Sequence, residues 1–222
     1  MKKVFITVFF TSVFWTVLGL VVYKNIQQEE LQSKPVVLLR AITEDERAFY
    51  KSKFVSIKAG DLQGSGCEYK PGYYLTALHV LIPSILDGGI MSVNDKKATL
   101  VAKSKTREDY AVLSTHADID ERLGVLPEHE FKENEDVIIV GSPGDQIALV
   151  QPGKIINTVV VDEKNVVKKS AKKVYTIYVE SGISGGCVYP AGSDTPVAVF
   201  TKKDSDSESR IGEISLTSKV DD

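Results

Sequence analysis

Residues 4–23 carry no charged side chain, and apolar residues dominate that run from end to end. At about 1.5 Å per residue, a helix of this length covers roughly 30 Å, the thickness of a bilayer's hydrocarbon core. Its polar members, Thr7, Thr11, Ser12 and Thr16, can bond back to the preceding helical turn. A cleaved signal peptide is the alternative, but its apolar stretch is usually shorter and ends in a small-residue site, which this run lacks. The pattern therefore predicts a transmembrane anchor within residues 1–24, contacting the membrane through residues 4–23. Lys2 and Lys3 precede the run, whereas Lys24 is followed by Glu29 and Glu30. That bias predicts a short N-terminus inside and the remaining chain on the extracytoplasmic side, periplasmic or extracellular.

The pattern changes after residue 24. Residues 25–45 are mostly polar and predict a tether. Thr43 followed by Glu46 is a capping box, predicting a short helix over 44–51. Beyond it, short apolar runs alternate with Gly, Pro, Asn and Asp punctuation. Strands are predicted over 54–58, 73–77, 98–103, 110–114, 136–140, 147–150, 154–161, 174–180, 196–201 and 210–216. Many short strands and no second long apolar helix predict an all-β barrel or sandwich.

Composition narrows the function classes. Hydrophobic residues make up 43% of the 222-residue chain and charged residues 26%, so a packed core is within reach and wholesale disorder is excluded. The net charge is −3, and three lysines with no acid lie in the first 24 residues, so the remainder is more acidic than the whole. Such a surface suits nucleic acid poorly, and no nucleic-acid partner is expected. Two cysteines and three histidines leave no room for a four-cysteine zinc site or a histidine-rich metal centre.

Three segments carry candidate chemistry. Leu75-Thr76-Ala77-Leu78-His79-Val80 ends a strand and delivers a histidine into a short helix. Histidine is the natural general base because its ordinary pKa lies near neutrality. Asp109-Tyr110-Ala111-Val112-Leu113 places an acid before an apolar strand, where it can hold a histidine in one tautomer. Gly182-Ile183-Ser184-Gly185-Gly186 can present a serine while aiming backbone N–H groups at a developing oxyanion. Singly, each has a plain structural reading: a core histidine, a loop acid, a glycine-rich turn. Their conjunction, in the order His, Asp, Ser, is what points to nucleophilic catalysis. His116 and His129 stand in polar contexts and are expected to be solvated.

With Gly64-Ser65-Gly66 ahead of them and Val140-Gly141-Ser142-Pro143-Gly144 between, these segments resemble the trypsin-like (chymotrypsin-fold) serine peptidases. The resemblance is closest to the Deg, or high-temperature-requirement, branch, and covers about residues 50–217. It implies two antiparallel six-stranded β-barrels following a single N-terminal transmembrane helix. The protease domain would span 46–222, with barrels over about 50–130 and 131–217. It implies Ser184 as nucleophile, His79 as general base and acid, and Asp109 as the ionised group that orients it. The N–H groups of Gly182 and Ser184 would form the oxyanion hole. Polypeptides would be the substrates, and neither cofactor nor metal is required. The pocket for the side chain before the scissile bond would be lined by Tyr178, Val179, Glu180, Ala198, Val199, Phe200 and Thr201. Tyr178 takes the sixth position before Ser184, where Arg/Lys-cleaving members carry an aspartate, so a small or medium apolar side chain is expected there. Ile183 departs from the usual Asp or Asn before the nucleophile, which bears on how the Gly182 loop is held. No C-terminal PDZ-like extension follows residue 217, and the oligomeric state stays open. Cys67 and Cys187 would both lie near the cleft, either bonded to each other or as two buried thiols.

Overall fold

The computed structural model describes residues 37–104, 108–120, 122, 129–144, 147–161, 167–179, 182–203 and 211–216. The predicted anchor and nearly all of the tether lie outside the described residues. Among those described, no helix is long and apolar enough to cross a membrane. Every element lies in the second of two units, Leu39–Asp222, the first being Met1–Leu38.

Helix α1 (Glu44–Lys53) starts on the expected capping box, with Thr43 Oγ1 accepting from Glu46 N and the Glu46 carboxylate accepting from Thr43 N. Acids occupy its first turn and lysines its last, which suits the helix dipole. Two closed barrels follow. The first runs β1 (Phe54–Ala59), β2 (Leu62–Lys70), β3 (Tyr73–Thr76), β6 (Ala111–Ser114), β5 (Lys96–Lys103) and β4 (Met91–Val93) around its circumference. Helix α2 (Leu78–Asp87) leaves β3 and ends on Gly88, whose left-handed backbone stops the helix. The second barrel runs β10 (Cys187–Pro190), β11 (Ala198–Lys203), β12 (Ile211–Leu216), β9 (Val167–Thr176), β8 (Leu149–Val161) and β7 (Asp136–Gly141). All neighbouring strands are antiparallel.

Several predicted strands change on folding. β2, β4 and β10 were absent from the pattern: β2 is rich in glycine and polar residues, and the other two are only three and four residues long. The two runs predicted around Pro152 and Gly153 form one strand, β8. Pro152 lends its carbonyl to Thr176 Oγ1, and a side chain at Gly153 would press on Val174, Val137 and Ile139 inside the second barrel. β9 begins at Val167 and ends at Thr176 rather than spanning 174–180.

Three cores hold this arrangement. One fills the first barrel with Val55, Ile57, Ala111 and Leu113, and another fills the second with Val137, Ile139, Val188 and Phe200. The third is the seam between them. It takes Leu75, Tyr110 and Val112 from the first barrel, Ile138, Val140, Tyr189 and Val199 from the second, and Tyr50 from α1. Alternating residues of one strand thus serve two cores. On β7, Val137 and Ile139 point into the barrel while Ile138 and Val140 point into the seam. That is why β7 is buried on both faces.

Cys67 of β2 and Cys187 of β10 close the seam covalently, with a Cα–Cα separation of 6.0 Å. They stand 120 residues apart in the chain. A cross-link over so long a loop removes much of the unfolded chain's freedom, worth about 2–5 kcal/mol. Cys67→Ala/Cys187→Ala should therefore lose about 2–5 kcal/mol in denaturant unfolding, and reductant should lower the wild type toward the same value. Equal midpoints for wild type and double variant would refute this.

Candidate active site

His79 occupies the first turn of α2, where backbone N–H groups lack helical partners. The N-cap residue, Ala77, has no side chain to cap them. Asp109, on the segment entering β6, does it instead: its Oδ1 accepts from His79 N at 2.8 Å. Its Oδ2 lies 2.5 Å from His79 Nδ1. One carboxylate therefore caps the helix and fixes the imidazole mounted on it. With Nδ1 engaged as donor, Nε2 is left as the acceptor a general base requires.

Burial pushes the Asp109 carboxyl up, but the hydrogen bonds from the His79 ring, the His79 backbone and the Leu78 backbone outweigh it. The group ends below its ordinary value. Its other support crosses the seam, where Asp109 N donates to Ser215 Oγ at 2.9 Å. Ser215 lies on β12 opposite Val199 of β11.

Ser184 sits on the loop before β10. Its carbonyl accepts from Ser65 N on β2 at 2.8 Å. A side chain at Gly64 would crowd both Val80 and the Ser184 carbonyl, and one at Gly185 would reach Thr76 and Ala77. The nucleophile loop is thus packed against the β3–α2 turn that carries His79. The structure pairs His79 with Asp109 and packs the Ser184 loop against the turn that leads into His79. His79 remains 42% exposed, open to a ligand from solvent.

Three successive carbonyls of the loop are held. Gly182 O accepts from Ser65 Oγ, Ile183 O from Gly186 N and Ser184 O from Ser65 N. The N–H groups of Gly182 and Ser184, expected as the oxyanion pair, donate to none of the described residues. Gly182 has φ +98°, and a side chain there would collide with the backbone of Gly144. Ile183 is buried in the second barrel's core against Gly141. An apolar anchor therefore stands where the resemblance leads one to expect a polar one.

The Ser184 hydroxyl donates to Thr201 O at 2.7 Å rather than to His79. That carbonyl is available because β11 and β12 slip register between Phe200 and Lys202, leaving Thr201 as the extra residue of a bulge.

The predicted pocket residues divide. The side chains of Val179, Ala198, Val199 and Phe200 are buried in the two cores that meet at the seam and the second barrel, so they form no open side-chain wall. Thr201 contributes the carbonyl just described. Glu180 lies outside the described residues. Tyr178 is 36% exposed, beside Ile177 at 57%. Its backbone is gripped at both ends by Gln151, whose Nε2 donates to Tyr178 O and whose Oε1 accepts from Tyr178 N. This grip replaces ladder pairing and explains why β9 stops at Thr176. Gln151 and Ser215 escaped the sequence reading; the only trace of either is a polar residue within an apolar strand.

By sequence, no family model and no curated protein matches this chain. Solved structures do match by shape. The inactive mutant form of Rv3671c from M. tuberculosis H37Rv superposes with a TM-score of 0.55 at 20% identity, over 82% of this chain and 91% of that one. The HtrA-type protease AlgW with a tripeptide gives 0.53 at 21% identity, over 77% of this chain and 59% of that one. Deg5 gives 0.50 at 17% identity, over 78% and 91%. The fold is that of the HtrA/Deg-type trypsin-like serine proteases. At these identities the match concerns architecture, and the chemistry must come from the cleft.

Two outcomes test this geometry. Gly185 has φ +85°, and a Cβ would strike the Ser65 carbonyl, whereas Gly192 has φ +82° with open space around it. Both Ala variants carry backbone strain of about 1–2 kcal/mol, but Gly185→Ala should lose about 2 kcal/mol or more beyond Gly192→Ala. Equal losses in denaturant unfolding would refute the packing. The second concerns pH. Because the folded carboxyl of Asp109 lies below its unfolded value, its stabilisation is complete above the ordinary carboxylate range. It is lost as pH falls through the depressed value. The stability gap between wild type and Asp109→Asn should not narrow from pH 7 to about 5 and should narrow below about 4. A gap that narrows between pH 7 and 5 would show otherwise.

Proposed function

We propose that this protein is a membrane-tethered serine endopeptidase acting on polypeptides through His79, Asp109 and Ser184. The observation that carries the reading is the Asp109 carboxylate holding both the helix start and the Nδ1 of His79, next to the β3–α2 turn against which the Ser184 loop packs. In this scheme Ser184 Oγ attacks the scissile carbonyl as His79 Nε2 takes its proton. The proton then passes to the leaving amine, and water resolves the acyl-enzyme by the same route. Asp109 stays ionised and stabilises the imidazolium. The N–H groups of Gly182 and Ser184 receive the oxyanion, a donor contribution of about 3 kcal/mol each. Exposed Ile177 and Tyr178 beside Gln151 favour an apolar side chain before the scissile bond.

The charge-free run over 4–23 supports the tether, and the lysine bias around it supports an extracytoplasmic domain. The Cys67–Cys187 bond fits the oxidising compartment this implies.

A second reading, a gated or inactive protease-fold module that binds protein, is favoured by one observation: the Ser184 proton rests on Thr201 O. Reactivity separates the two. Residues 39–222 should label with a fluorophosphonate, and Ser184→Ala and His79→Ala should not. Asp109→Asn should lower kcat by about 10⁴ through the wrong imidazole tautomer. A folded wild type that neither labels nor hydrolyses peptides establishes the binding module. For the tether, full-length protein should resist alkaline carbonate extraction while a form lacking residues 1–24 stays in the supernatant. Release of both would remove the anchor from the proposal.

A further inference from the structure

We infer that Ser65 is a positioning residue for the oxyanion site, acting from the first barrel on a loop of the second. The inference rests on the peptidase reading above and concerns how that site is held.

Ser65 lies on β2 and is wholly buried. All of its polar groups cross to neighbours. Its N–H donates to Ser184 O at 2.8 Å and its hydroxyl donates to Gly182 O at 2.8 Å. The hydroxyl oxygen also accepts from Ser142 N at 2.8 Å, and the Ser65 carbonyl accepts from Thr76 Oγ1 at 2.7 Å. The two carbonyls it grips belong to the two residues whose N–H groups are assigned to the oxyanion. A residue's carbonyl shares its rigid peptide plane with the next residue's N–H, so these two bonds fix the 182–183 and 184–185 planes. Those planes flank the one carrying Ser184 N–H and adjoin the one carrying Gly182 N–H, and thereby limit how Gly182 and Ser184 can turn. Gly182, with φ +98° and no Cβ, has the widest conformational choice of any residue in the loop. The Ser65 hydroxyl is the side-chain bond that narrows it. By accepting from Ser142 N, the same hydroxyl fixes the Ser142–Gly144 backbone on which Gly182 packs. Glycines flank Ser65 for a matching reason. A side chain at Gly64 would crowd the Ser184 carbonyl, and one at Gly66 would crowd Ile57 and the Leu75 carbonyl. None of these bonds goes to His79 or Asp109, so Ser65 bears on the oxyanion and not on proton transfer.

The full-length protein in detergent, as wild type, Ser65→Ala and Val93→Ala, is compared for hydrolysis of a cleaved peptide, for inhibition by a peptide boronate, and for melting temperature. Val93→Ala empties part of the first barrel's core away from the cleft and serves as a destabilised control. Ser65→Ala should lower kcat about tenfold or more with KM within about twofold, since the lost hold matters only where the oxyanion forms. Boronate affinity should fall by the same factor as kcat/KM. The acid limb of the kcat/KM profile should keep its midpoint. A Ser65→Ala enzyme with kcat within twofold of wild type overturns the inference. So does a kcat loss reproduced by Val93→Ala once both are assayed equally far below their melting temperatures. A moved acid limb would assign Ser65 to the His79–Asp109 pair and overturn it as well. A folded wild type that hydrolyses nothing removes the peptidase reading and this inference with it, whereas an active wild type with an unaffected variant removes this inference alone.

Discussion

A closed barrel has no free edge, so its strands spend their backbone groups on one another. Two such barrels cannot be joined by extending a sheet. They can meet only through side chains that point outward and through the backbone of loops. The seam in this protein is built from those two resources, and Asp109 and the Ser184 loop are both bonded across it. Outward-facing residues of β6, β7, β10 and β11 make an apolar seam core, and the Cys67–Cys187 bond pins it. Loop and cap groups make the polar part: Asp109 to Ser215, and Ser65 to Ser184 and Gly182. Seen this way, the cleft is where two saturated objects exchange the few hydrogen bonds they have left.

The same constraint decides what could be read from the chain. Strands that alternate between a barrel core and the seam are apolar at nearly every position, as in Val137-Ile138-Ile139-Val140, and such runs are visible without a structure. β2 is the opposite case. Its Gly64-Ser65-Gly66 stretch lacks apolar character because a Cβ at Gly64 would meet Val80 and the Ser184 carbonyl, one at Gly66 would meet Ile57 and the Leu75 carbonyl, and the Ser65 hydroxyl is spent on the nucleophile loop. The feature that hides it as a strand is the one that makes it part of the site. Pro152-Gly153 misleads for a related reason: the glycine is there to admit neighbouring core side chains, not to turn the chain.

The histidine, aspartate and serine were legible because each brings a chemically loaded residue inside a short local pattern. Gln151 and Ser215 were not, because their partners are backbone groups or side chains far away in sequence. A polar residue in an apolar strand declares that it is bonded but not to what. The disulfide falls between these cases. Two cysteines were plain to see, but their pairing depends on a Cα separation that only the folded seam supplies.

Ile183 shows how one substitution redistributes the work of holding a loop. A buried polar side chain beside the nucleophile would have to be bonded, and it would orient the loop through those bonds. Ile183 instead secures the loop by non-directional burial in the second barrel's core. Burial fixes where the loop lies but says little about how its peptide planes are rotated. Part of the rotation is set within the loop, by Gly186 N on the Ile183 carbonyl, and part from the other barrel, by Ser65 on the Gly182 and Ser184 carbonyls. Because the Ser65 bonds come from the first barrel, while the nucleophile's hydroxyl rests on a carbonyl of its own barrel, the geometry of the loop depends on both barrels being in register across the seam. A displacement there would reach the oxyanion donors before it reached His79 and Asp109, which are locked together within the first barrel.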